Sequence, residues 1–378
     1  MKTVRILALH LAYGGVEKAV ISMANLFAGR YSVEIISVYN MPDSPAYPID
    51  PRVKVRYLLR EVPNREQWHA AIRDRAPLRI ARESFRALRI LLGKKLAVRR
   101  TIRSVRDGVL ITTRHEDNLV LSRLGAPQVL KIAQMHHDHR CEKKYVRGFR
   151  RQYRGIDVLA MLTPGLTEEA RRMVPEDSRT QVVCIPNFLS HYPAQVDLEA
   201  KEPVVFSAGR LVGVKGFDRL IRCFAEVRAQ RPEWKLRIAG EGAEREKLEA
   251  LIRGYGLEDA VCLTGRLDAE AVEREMLRAS IFAMSSHSEG FPFVLIEAQS
   301  CALPVVAFDV RVGPAAVVTD GEDGFLVADG EEDAYVQALL RLMEDAPLRR
   351  SMSLRSQAHA AEFSEEKIAQ LWYSVLGD

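Results

Sequence analysis

The sequence predicts an α/β protein made of two doubly wound, Rossmann-like domains that face each other across a cleft. The chain has 378 residues, and a single hydrophobic core rarely grows past ~250–300 residues. Short apolar runs alternate with amphipathic helical patterns in both halves, which is typical of parallel sheets covered by helices on both faces. Between the halves, residues 187–202 show no clear period. We interpret them as an interdomain linker.

The first predicted domain comprises residues 1–186. Its predicted strands are short apolar runs at residues 4–9, 33–38, 109–111, 129–133, 158–161 and 182–185. Helical periodicity is found over residues 17–27 and over a long basic segment at 78–105. The apolar residues of that segment are Ile80, Phe85, Leu88, Leu92 and Leu96.

The second predicted domain comprises residues 203–360. Its predicted strands are residues 204–207, 234–239, 261–263, 281–284 and 305–308, with helical patterns between them, the first at 217–227. A further helix within residues 364–378 is expected to pack back toward the first domain. In such folds ligands bind at the carboxyl ends of the strands, so we expect the site in the cleft between the domains.

Positive charge is concentrated in the first half of the chain, although the net charge is only +5. Residues 60–106 contain fourteen Lys or Arg against four Asp or Glu, and residues 140–154 contain seven against Glu142 alone. One interpretation is a solvated helix face. The other is adhesion to an anionic membrane surface through residues 78–106 and 140–154, or to an anionic acceptor. Nucleic acid is not expected as a partner, because the aromatic residues there form no stacking platform.

The N-terminal segment does not resemble a secretory signal, because Arg5 and His10 interrupt its apolar run. No apolar stretch is long enough to span a membrane. The five cysteines are widely spread, with no C-x-x-C pair, and we interpret them as reduced thiols. They are Cys141, Cys184, Cys223, Cys262 and Cys301. We therefore expect a cytoplasmic protein, either soluble or peripheral on the inner face of the membrane.

An acidic segment follows the predicted strand at 281–284. Pro292 is expected at the first position of a helix, and the backbone N–H groups of Gly290 and Phe291 at that helix N-terminus would suit a diphosphate. Glu289 in the loop and Glu297 about two turns into the helix are acceptor-only groups, each able to bind the two donors of a vicinal diol. A nucleotide-sugar has such diols at both ends. A spacing of eight residues between two glutamates is weak evidence by itself.

A second constellation lies in the turn after the strand at 204–207. Gly209 and Gly216 flank this turn, which contains Arg210 and Lys215. Two cations beside a glycine-rich backbone can neutralise a diphosphate leaving group. The alternative is that both are ordinary surface cations.

Three histidines occur within residues 134–139, at the carboxyl end of a predicted strand. His136, His137, Asp138 and His139 are all residue types that bind metals. A metal site is one interpretation and a loop histidine without chemical function is another.

The motifs of the second half resemble, in the same order along the chain, those of retaining glycosyltransferases of the GT-B fold, of the family 4 type. Residues 288–298 (Ser-Glu-Gly-Phe-Pro-x-x-x-x-Glu-Ala) are similar to that family's acidic motif, and Arg210 with Lys215 to its phosphate motif. Residues 238–242, 263–267, 304–307 and 313–327 also match. The first half matches through residues 14–17 and, loosely, through His136. Ala302 departs from the pattern, which usually has glycine there, so the helix C-cap is expected to differ.

The resemblance implies a role for each matching residue. Arg210 and Lys215 would bind the donor diphosphate beside Gly209, and Glu297 would hold the ribose. Glu289 and the backbone of Gly290 and Phe291 would contact the donor sugar and phosphate. Arg266 and Leu267 would flank the base, Gly15 would close over the phosphates, and His136 would lie by the reacting sugar.

By the same resemblance, the chain would be a hexosyltransferase of polysaccharide biosynthesis. It would move a sugar with retention from a nucleoside-diphosphate donor, UDP first, to a cell-envelope glycan, glycolipid or anionic polymer. The first domain would bind the acceptor and the second the donor. No side-chain nucleophile, cofactor or metal is expected. The alternatives are a non-catalytic sugar-nucleotide-binding scaffold and a GT-B-like nucleotide-sugar epimerase.

Overall fold

The chain forms two compact units, each with its own parallel sheet. The computed structural model describes residues 1–42, 44–140 and 142–377. The first unit contains Met1–Ile185 together with the chain from Leu371 onward, and the second contains Pro186–Gln370. The prediction of two Rossmann-like α/β units is confirmed.

The first unit is organised around a seven-stranded sheet in the order β3-β2-β1-β4-β5-β6-β7. All neighbouring strands are parallel. The order reverses between β1 and β4, which makes that position the switch point of the sheet. The strands are β1 (Thr3–Ala8), β2 (Ser32–Tyr39), β3 (Lys54–Leu59), β4 (Val109–Thr112), β5 (Leu130–Gln134), β6 (Val158–Met161) and β7 (Gln181–Cys184).

The helices of the first unit connect these strands. They are α1 (Gly15–Phe27), α2 (Arg65–Arg73), α3 (Pro77–Ser104), α4 (His115–Leu124), α5 (Lys143–Arg147) and α6 (Pro164–Met173). A π-helical turn, Gly148–Gln152, continues α5. The long basic helix predicted at 78–105 is confirmed as α3, and Pro77 stands at its start, where its missing N–H costs no hydrogen bond.

The second unit is organised around a six-stranded parallel sheet in the order β10-β9-β8-β11-β12-β13. Its switch point lies between β8 and β11. The four residues of β11 are all buried, as expected for a central parallel strand. The strands are β8 (Val204–Ala208), β9 (Lys235–Ala239), β10 (Val261–Gly265), β11 (Ile281–Met284), β12 (Val305–Asp309) and β13 (Gly324–Ala328).

The helices of the second unit pack their apolar faces on this sheet. They are α7 (Phe217–Gln230), α8 (Arg245–Gly254), α9 (Ala269–Arg278), α10 (Phe293–Ser300), α11 (Glu332–Glu344) and α12 (Ala346–Ala360). The face predicted for the first of them is confirmed, because Phe217, Leu220, Ile221, Phe224 and Val227 are all buried in one core cluster.

The C-terminal helix, α13 (Glu365–Leu376), begins in the second unit and ends in the first. Within the first unit, the ring of Trp372 packs edge-to-face on Phe27, with 5.6 Å between ring centroids. Trp372 is among the largest fully buried side chains of the chain. The final turns of α13 therefore contribute to the core of the first unit.

Among the elements that the apolar pattern did not predict are the strands β3 and β13 and the helix α2. β3 pairs with β2 alone at the edge of the sheet, and none of its residues is fully buried. In α2 only Ala71 is buried. A weakly buried element has little apolar periodicity for a sequence to display.

The cysteines of the described chain are free thiols: Cys223 and Cys301 are buried, and Cys262 is exposed. The fourth is Cys184, whereas Cys141 lies outside the described residues. No helix in the described part of the chain combines the length and apolarity that crossing a bilayer requires.

Candidate functional site

The loops after β8 and β11 meet at the switch point of the second sheet. The His287 N–H donates to the Val214 carbonyl at 2.8 Å. The Ser285 hydroxyl donates to the Lys215 carbonyl at 3.1 Å. These bonds join the two segments that the sequence singled out, so the cation turn and the acidic segment lie side by side.

Gly216 allows this close approach. Its backbone is left-handed, with φ of 62°. A Cβ built on it would lie 2.1 Å from the Ser285 carbonyl oxygen. A side chain here would therefore clash with the backbone of the neighbouring loop, as well as straining its own. The glycine after Lys215 keeps the two loops in contact.

The two predicted cations have different environments. Lys215 Nζ lies 2.7 Å from Glu289 Oε1, and the Glu289 side chain is only 10% exposed. Arg210 is exposed, and its guanidinium forms no ion pair with any residue of the described ranges. One cation is thus partly neutralised within the protein, whereas the other is open to a ligand.

The loops after β9 and β10 extend the same edge of the sheet. A Cβ on Gly240, whose φ is 149°, would lie 1.8 Å from the Gly209 carbonyl oxygen, so the loops after β8 and β9 touch backbone to backbone. The Gly240 N–H donates to the Gly265 carbonyl at 2.8 Å. Arg266, which is exposed, and Leu267, which is partly buried, follow Gly265 directly.

The position expected for Pro292 was wrong by one residue. α10 begins at Phe293, and Pro292 is its N-cap residue with ψ of 97°, which is extended rather than helical. Its carbonyl accepts from the Leu295 N–H at 3.0 Å. As a consequence, Glu297 is the fifth helical residue, just over one turn into α10 rather than about two.

The side chain of Phe291 serves the core. It is 7% exposed and packs edge-to-face on Phe363 at 5.6 Å between centroids. Its predicted contribution was from the backbone, which this packing leaves unaffected. Beyond it, Gly313 lies against Glu289, and a Cβ on Gly313 would approach the Glu289 Cβ to 2.8 Å. The loop after β12 therefore supports Glu289 from the other side.

Arg219 on α7 holds the loop after β11, and sequence reasoning missed it. Its side chain donates to the Ser285 carbonyl at 2.7 Å, to the Ser286 carbonyl at 2.6 Å and to Asp329 Oδ1 at 2.7 Å. The guanidinium carbon lies 3.9 Å from the centroid of the Phe308 ring. Arg219 is 3% exposed, so its hydrogen bonds hold the loop after β11 in place from the buried side. The sequence shows only one more arginine on a helix.

In the first unit, the predicted residues lie in loops or helix starts at the carboxyl edge of the sheet. Gly15 is the exposed first residue of α1, just after the loop that follows β1. His136 follows β5, is 6% exposed, and its Nε2 has no hydrogen-bond partner. Burial lowers the pKa of His136 to about 3, so its imidazole is neutral near pH 7.

The neighbouring histidines do not gather into a metal site. His137 is exposed, whereas His139 is buried against the ring of Phe149 and lies 3.3 Å from Glu169. Throughout residues 1–42, 44–140 and 142–377, no group of three or more His, Cys, Asp or Glu side chains is arranged to hold a metal ion.

Ala302 adopts the backbone conformation that a glycine would have. Its φ is 53°, in the left-handed region. The Leu303 N–H donates to Ala298 O at 3.0 Å and the Ala302 N–H to Gln299 O at 2.9 Å, which is the Schellman pattern at the end of a helix. The expected change of the helix cap was therefore wrong. The alanine accepts the strained conformation instead.

A match to a known protein family identifies the domain in the second unit. Residues 191–359 match the family described as Glycosyl transferases group 1. The second unit carries a glycosyl transferases group 1 domain. Both constellations, around Lys215 and around Glu289, lie inside the matched range.

The fold of the two units is that of GT-B glycosyltransferases. The chain is similar to the Staphylococcus aureus protein TarM, with a TM-score of 0.78 at 15% identity over all of both chains; that structure is of a point mutant in complex with fondaparinux, alpha-GlcNAc-glycerol and UDP. It is also similar to the pneumococcal O-GlcNAc transferase GtfA in complex with UDP and GlcNAc, with a TM-score of 0.77 at 16% identity over 100% of this chain and 99% of that one. At these identities the likeness shows the fold alone.

Two curated relatives are longer than this chain. An exopolysaccharide phosphotransferase of Streptomyces coelicolor is 31% identical over 373 residues, which is 95% of this chain and 39% of that protein. A poly(glycerol-phosphate) alpha-glucosyltransferase of Bacillus subtilis is 26% identical over 275 residues, which is 71% of this chain and 40% of that protein. The matched regions are thus less than half the length of either relative.

Proposed function

We propose that the chain is a retaining glycosyltransferase that moves a hexosyl group from a nucleoside-diphosphate sugar, with UDP as the first choice of nucleotide. The acceptor is a hydroxyl of a cell-envelope glycan, glycolipid or anionic polymer. The observation that carries this proposal is the contact between Lys215 and Glu289 at the switch point of the second sheet, 2.7 Å apart. This is the position at which open α/β sheets bind their ligands.

The donor diphosphate would bind beside Arg210 and Lys215. Charge-assisted hydrogen bonds from both cations would stabilise the negative charge that develops on the leaving diphosphate. Arg210 is open to solvent, whereas Lys215 would divide its donors between the phosphate and Glu289. Arg266 and Leu267 at the same sheet edge would flank the base, and the two hydroxyls of the ribose would meet Glu297.

The transfer itself needs no covalent intermediate with a side chain. The bond from the sugar C1 to the β-phosphate oxygen breaks, and a bond from C1 to the acceptor oxygen forms on the same face. The acceptor proton goes to the leaving diphosphate, as the resemblance to family 4 implies. Glu289 and the neutral imidazole of His136 would orient the sugar, with the unpartnered Nε2 of His136 available for a hydrogen bond.

An acceptor that bears phosphate groups is favoured by the surface that follows His136 in the chain. Along α5, the π-helical turn and the residues just after it, six cations are exposed: Lys143, Lys144, Arg147, Arg150, Arg151 and Arg154. Such a surface attracts polyanions. The name of the Bacillus relative, a poly(glycerol-phosphate) alpha-glucosyltransferase, agrees with this choice.

The test is transfer of labelled sugar. UDP-, GDP- and ADP-hexoses are first screened by thermal shift, because a ligand that binds only the folded state raises apparent stability. The donor that stabilises is then incubated with poly(glycerol phosphate), and the product's anomeric configuration is read by NMR. We expect a product with the donor's configuration. Binding without transfer or donor hydrolysis would instead favour a scaffold, and interconversion of free donors without acceptor would favour an epimerase.

A second candidate is transfer of a hexose phosphate, because the Streptomyces relative that matches 95% of this chain is named a phosphotransferase. In that reaction the bond between the β-phosphorus and the bridging oxygen would break. UMP would leave with that oxygen, and the acceptor would gain the sugar phosphate. Glycosyl transfer releases UDP instead. Chromatography of the nucleotide product separates the two reactions.

A further inference from the structure

α3 has two opposite apolar faces, and only one of them is covered. Its inner face is buried and contains Glu83, Ile90, Val98, Thr101 and Ile102. Its outer face carries large apolar side chains that are 50–88% exposed: Leu78, Phe85, Leu88, Leu92 and Leu96. These five are spaced by seven, three, four and four residues, which aligns them along one side of a helix within roughly 80° of arc. We call them the outer stripe.

The outer stripe is unusual on this surface. Of the thirteen large apolar side chains that are exposed in the described chain, six lie on α3, the sixth being Leu91. Scattered exposed apolar residues are normal, whereas a contiguous exposed patch marks a surface that is covered in use. Covering each such side chain is favourable, because it removes apolar surface from water.

The charge of α3 restricts what can cover it. The helix contains nine Lys or Arg and a single acidic residue, Glu83, which is buried and paired with Arg82 and Arg86. The exposed cations that border the stripe toward its C-terminal end are Lys95, Arg99, Arg100 and Arg103. None of these four forms an ion pair with a residue in the described part of the chain. The outer face is therefore apolar along its centre and cationic along its border.

A second copy of this chain is a poor partner for such a face, because pairing two α3 helices would bring like charges together without counter-ions. An anionic lipid bilayer satisfies both features, since acyl chains cover the apolar stripe and headgroups neutralise the cations. We propose that α3 lies in the interface of an anionic membrane with its outer stripe buried among the lipids. This inference goes beyond the proposed function, because it depends neither on the donor nor on the transfer.

A cavity lies between α2 and α3, and its lining includes Leu91, the sixth exposed apolar residue of α3. It has a volume of about 280 Å³ and is lined by Trp68 of α2 and by Ile90 and Leu91 of α3, among others. The Trp68 indole N–H donates to Ser84 Oγ at 3.0 Å, so its polar end is satisfied while its ring borders the cavity. A tryptophan with one satisfied polar end and one apolar side suits a membrane interface.

The other basic segment lacks this combination. Between Lys143 and Arg154 the cations are exposed, but Phe149 and Tyr153 are buried in the first unit. This surface can attract anions without inserting into lipid. Of the two basic segments, the structure thus assigns the membrane to α3 and leaves the segment after residue 140 to a soluble polyanion.

The test is flotation of the full chain with phosphatidylcholine vesicles, with and without phosphatidylglycerol. We expect flotation only with phosphatidylglycerol and a decrease with added salt. A first triple variant combines Phe85→Ser, Leu92→Ser and Leu96→Ser, and it should weaken binding by at least about tenfold.

A second triple variant combines Arg99→Gln, Arg100→Gln and Arg103→Gln, and it should weaken binding by on the order of a hundredfold at low salt. The matched control combines Tyr255→Ser, Leu354→Ser and Leu371→Ser at exposed positions outside α3, and it should bind like the wild type.

Three outcomes would overturn the proposal. They are no flotation of the wild type, unchanged flotation of the Phe85, Leu92 and Leu96 variant, and a dimer in light scattering that this variant dissociates. The last would assign the stripe to self-association. UDP affinity, measured on the same variants, reports on the proposed donor site, to which none of the substituted residues of α3 is assigned. Normal UDP affinity together with lost flotation separates this inference from the proposed function. A thermal unfolding transition like that of the wild type shows that the variants are folded.

Discussion

Lys215 Nζ and Glu289 Oε1 lie 2.7 Å apart, one in the loop after β8 and the other in the loop after β11. A diphosphate that binds here must take hydrogen bonds from an ammonium group that already has an anionic partner. Replacing Lys215 with alanine should weaken UDP binding by about 10–100-fold, because a hydrogen bond to a charged group contributes ~1.5–3 kcal/mol. Calorimetry measures this, with the exposed Lys247→Ala as control. Unchanged UDP affinity in Lys215→Ala would refute the diphosphate role.

Glu289→Gln should separate nucleotide binding from turnover. The substitution removes the negative charge beside Lys215, so UDP affinity should stay the same or rise. Turnover should fall by at least about a hundredfold, because the sugar loses one of the two carboxylate oxygens that orient it, together with the negative charge. Calorimetry and a steady-state transfer assay report the two effects. If UDP affinity falls as far as in Lys215→Ala, Glu289 serves the nucleotide rather than the sugar.

Glu297 on α10 is predicted to hold the ribose. Glu297→Ala should weaken UDP binding about tenfold and leave the binding of 2′,3′-dideoxy-UDP unchanged, because that analogue lacks both hydroxyl donors. The exposed Glu270→Ala on α9 serves as control. Wild-type affinity for UDP in the Glu297 variant would end the ribose assignment.

The Arg219→Lys variant tests whether the loop after β11 depends on the hydrogen bonds that the buried Arg219 side chain donates. Arg219→Lys keeps the charge but cannot donate in three directions from one planar group. We expect the free energy of unfolding to fall by ~2–4 kcal/mol and UDP affinity to fall as well. Urea unfolding and calorimetry measure the two. Arg228→Lys on the same helix affects an ion pair with the exposed Asp259 and a long hydrogen bond to the Trp234 carbonyl, and it should change the free energy of unfolding by less than ~1 kcal/mol. Normal UDP affinity in Arg219→Lys would make its role purely structural.

The buried His136 predicts a pH dependence of stability. Burial lowers its pKa from 6.5 to about 3. Between these values the unfolded chain takes up a proton that the folded chain does not, so this group lowers stability as pH falls, by up to ~1.4 kcal/mol per pH unit. In His136→Gln the free energy of unfolding should therefore fall less steeply on acidification through this window.

The buried Asp117, in the same unit, changes the free energy of unfolding with pH in the opposite direction to His136. Burial raises its pKa from 3.8 to about 6, so this group adds stability as pH falls through 6 toward 3.8. Asp117→Asn should make the loss of stability on acidification steeper, whereas His136→Gln makes it shallower. Urea unfolding at a series of pH values checks both. Identical slopes in the two variants would contradict the burial of these groups.

Much of the fold could be predicted because parallel strands are buried on both faces and appear as apolar runs, as in β6 and β11. β3 and α2 could not, because they bury too little to show a pattern. The two constellations of the second unit could also be singled out from sequence, since glycines beside charged residues are visible, whereas the roles of their residues stay predictions. Their contact could not be found, because it depends on which strands are neighbours at a switch point.

The contacts of buried polar groups, and which side of a helix is exposed, were the features least predictable from the sequence. Arg219 is one arginine among many until its three acceptors are known. The apolar residues of α3 suggested an amphipathic helix, but only the structure shows that Phe85, Leu88, Leu92 and Leu96 face outward while Ile90 and Val98 face the core. Ala302 looked like a change of the helix cap, yet its backbone keeps a left-handed conformation. In each case the sequence identifies the residue but not the neighbour that determines its role.

The central claim is that the sugar leaves without its phosphate. The most direct measurement uses a UDP-hexose that bears one radioactive label in the β-phosphate and another in the sugar, incubated with poly(glycerol phosphate). We predict that the sugar label enters the polymer while the phosphorus label remains in the released UDP. Lys215→Ala should slow both the labelling of the polymer and the release of UDP. Recovery of both labels in the polymer, with release of UMP, would contradict glycosyl transfer.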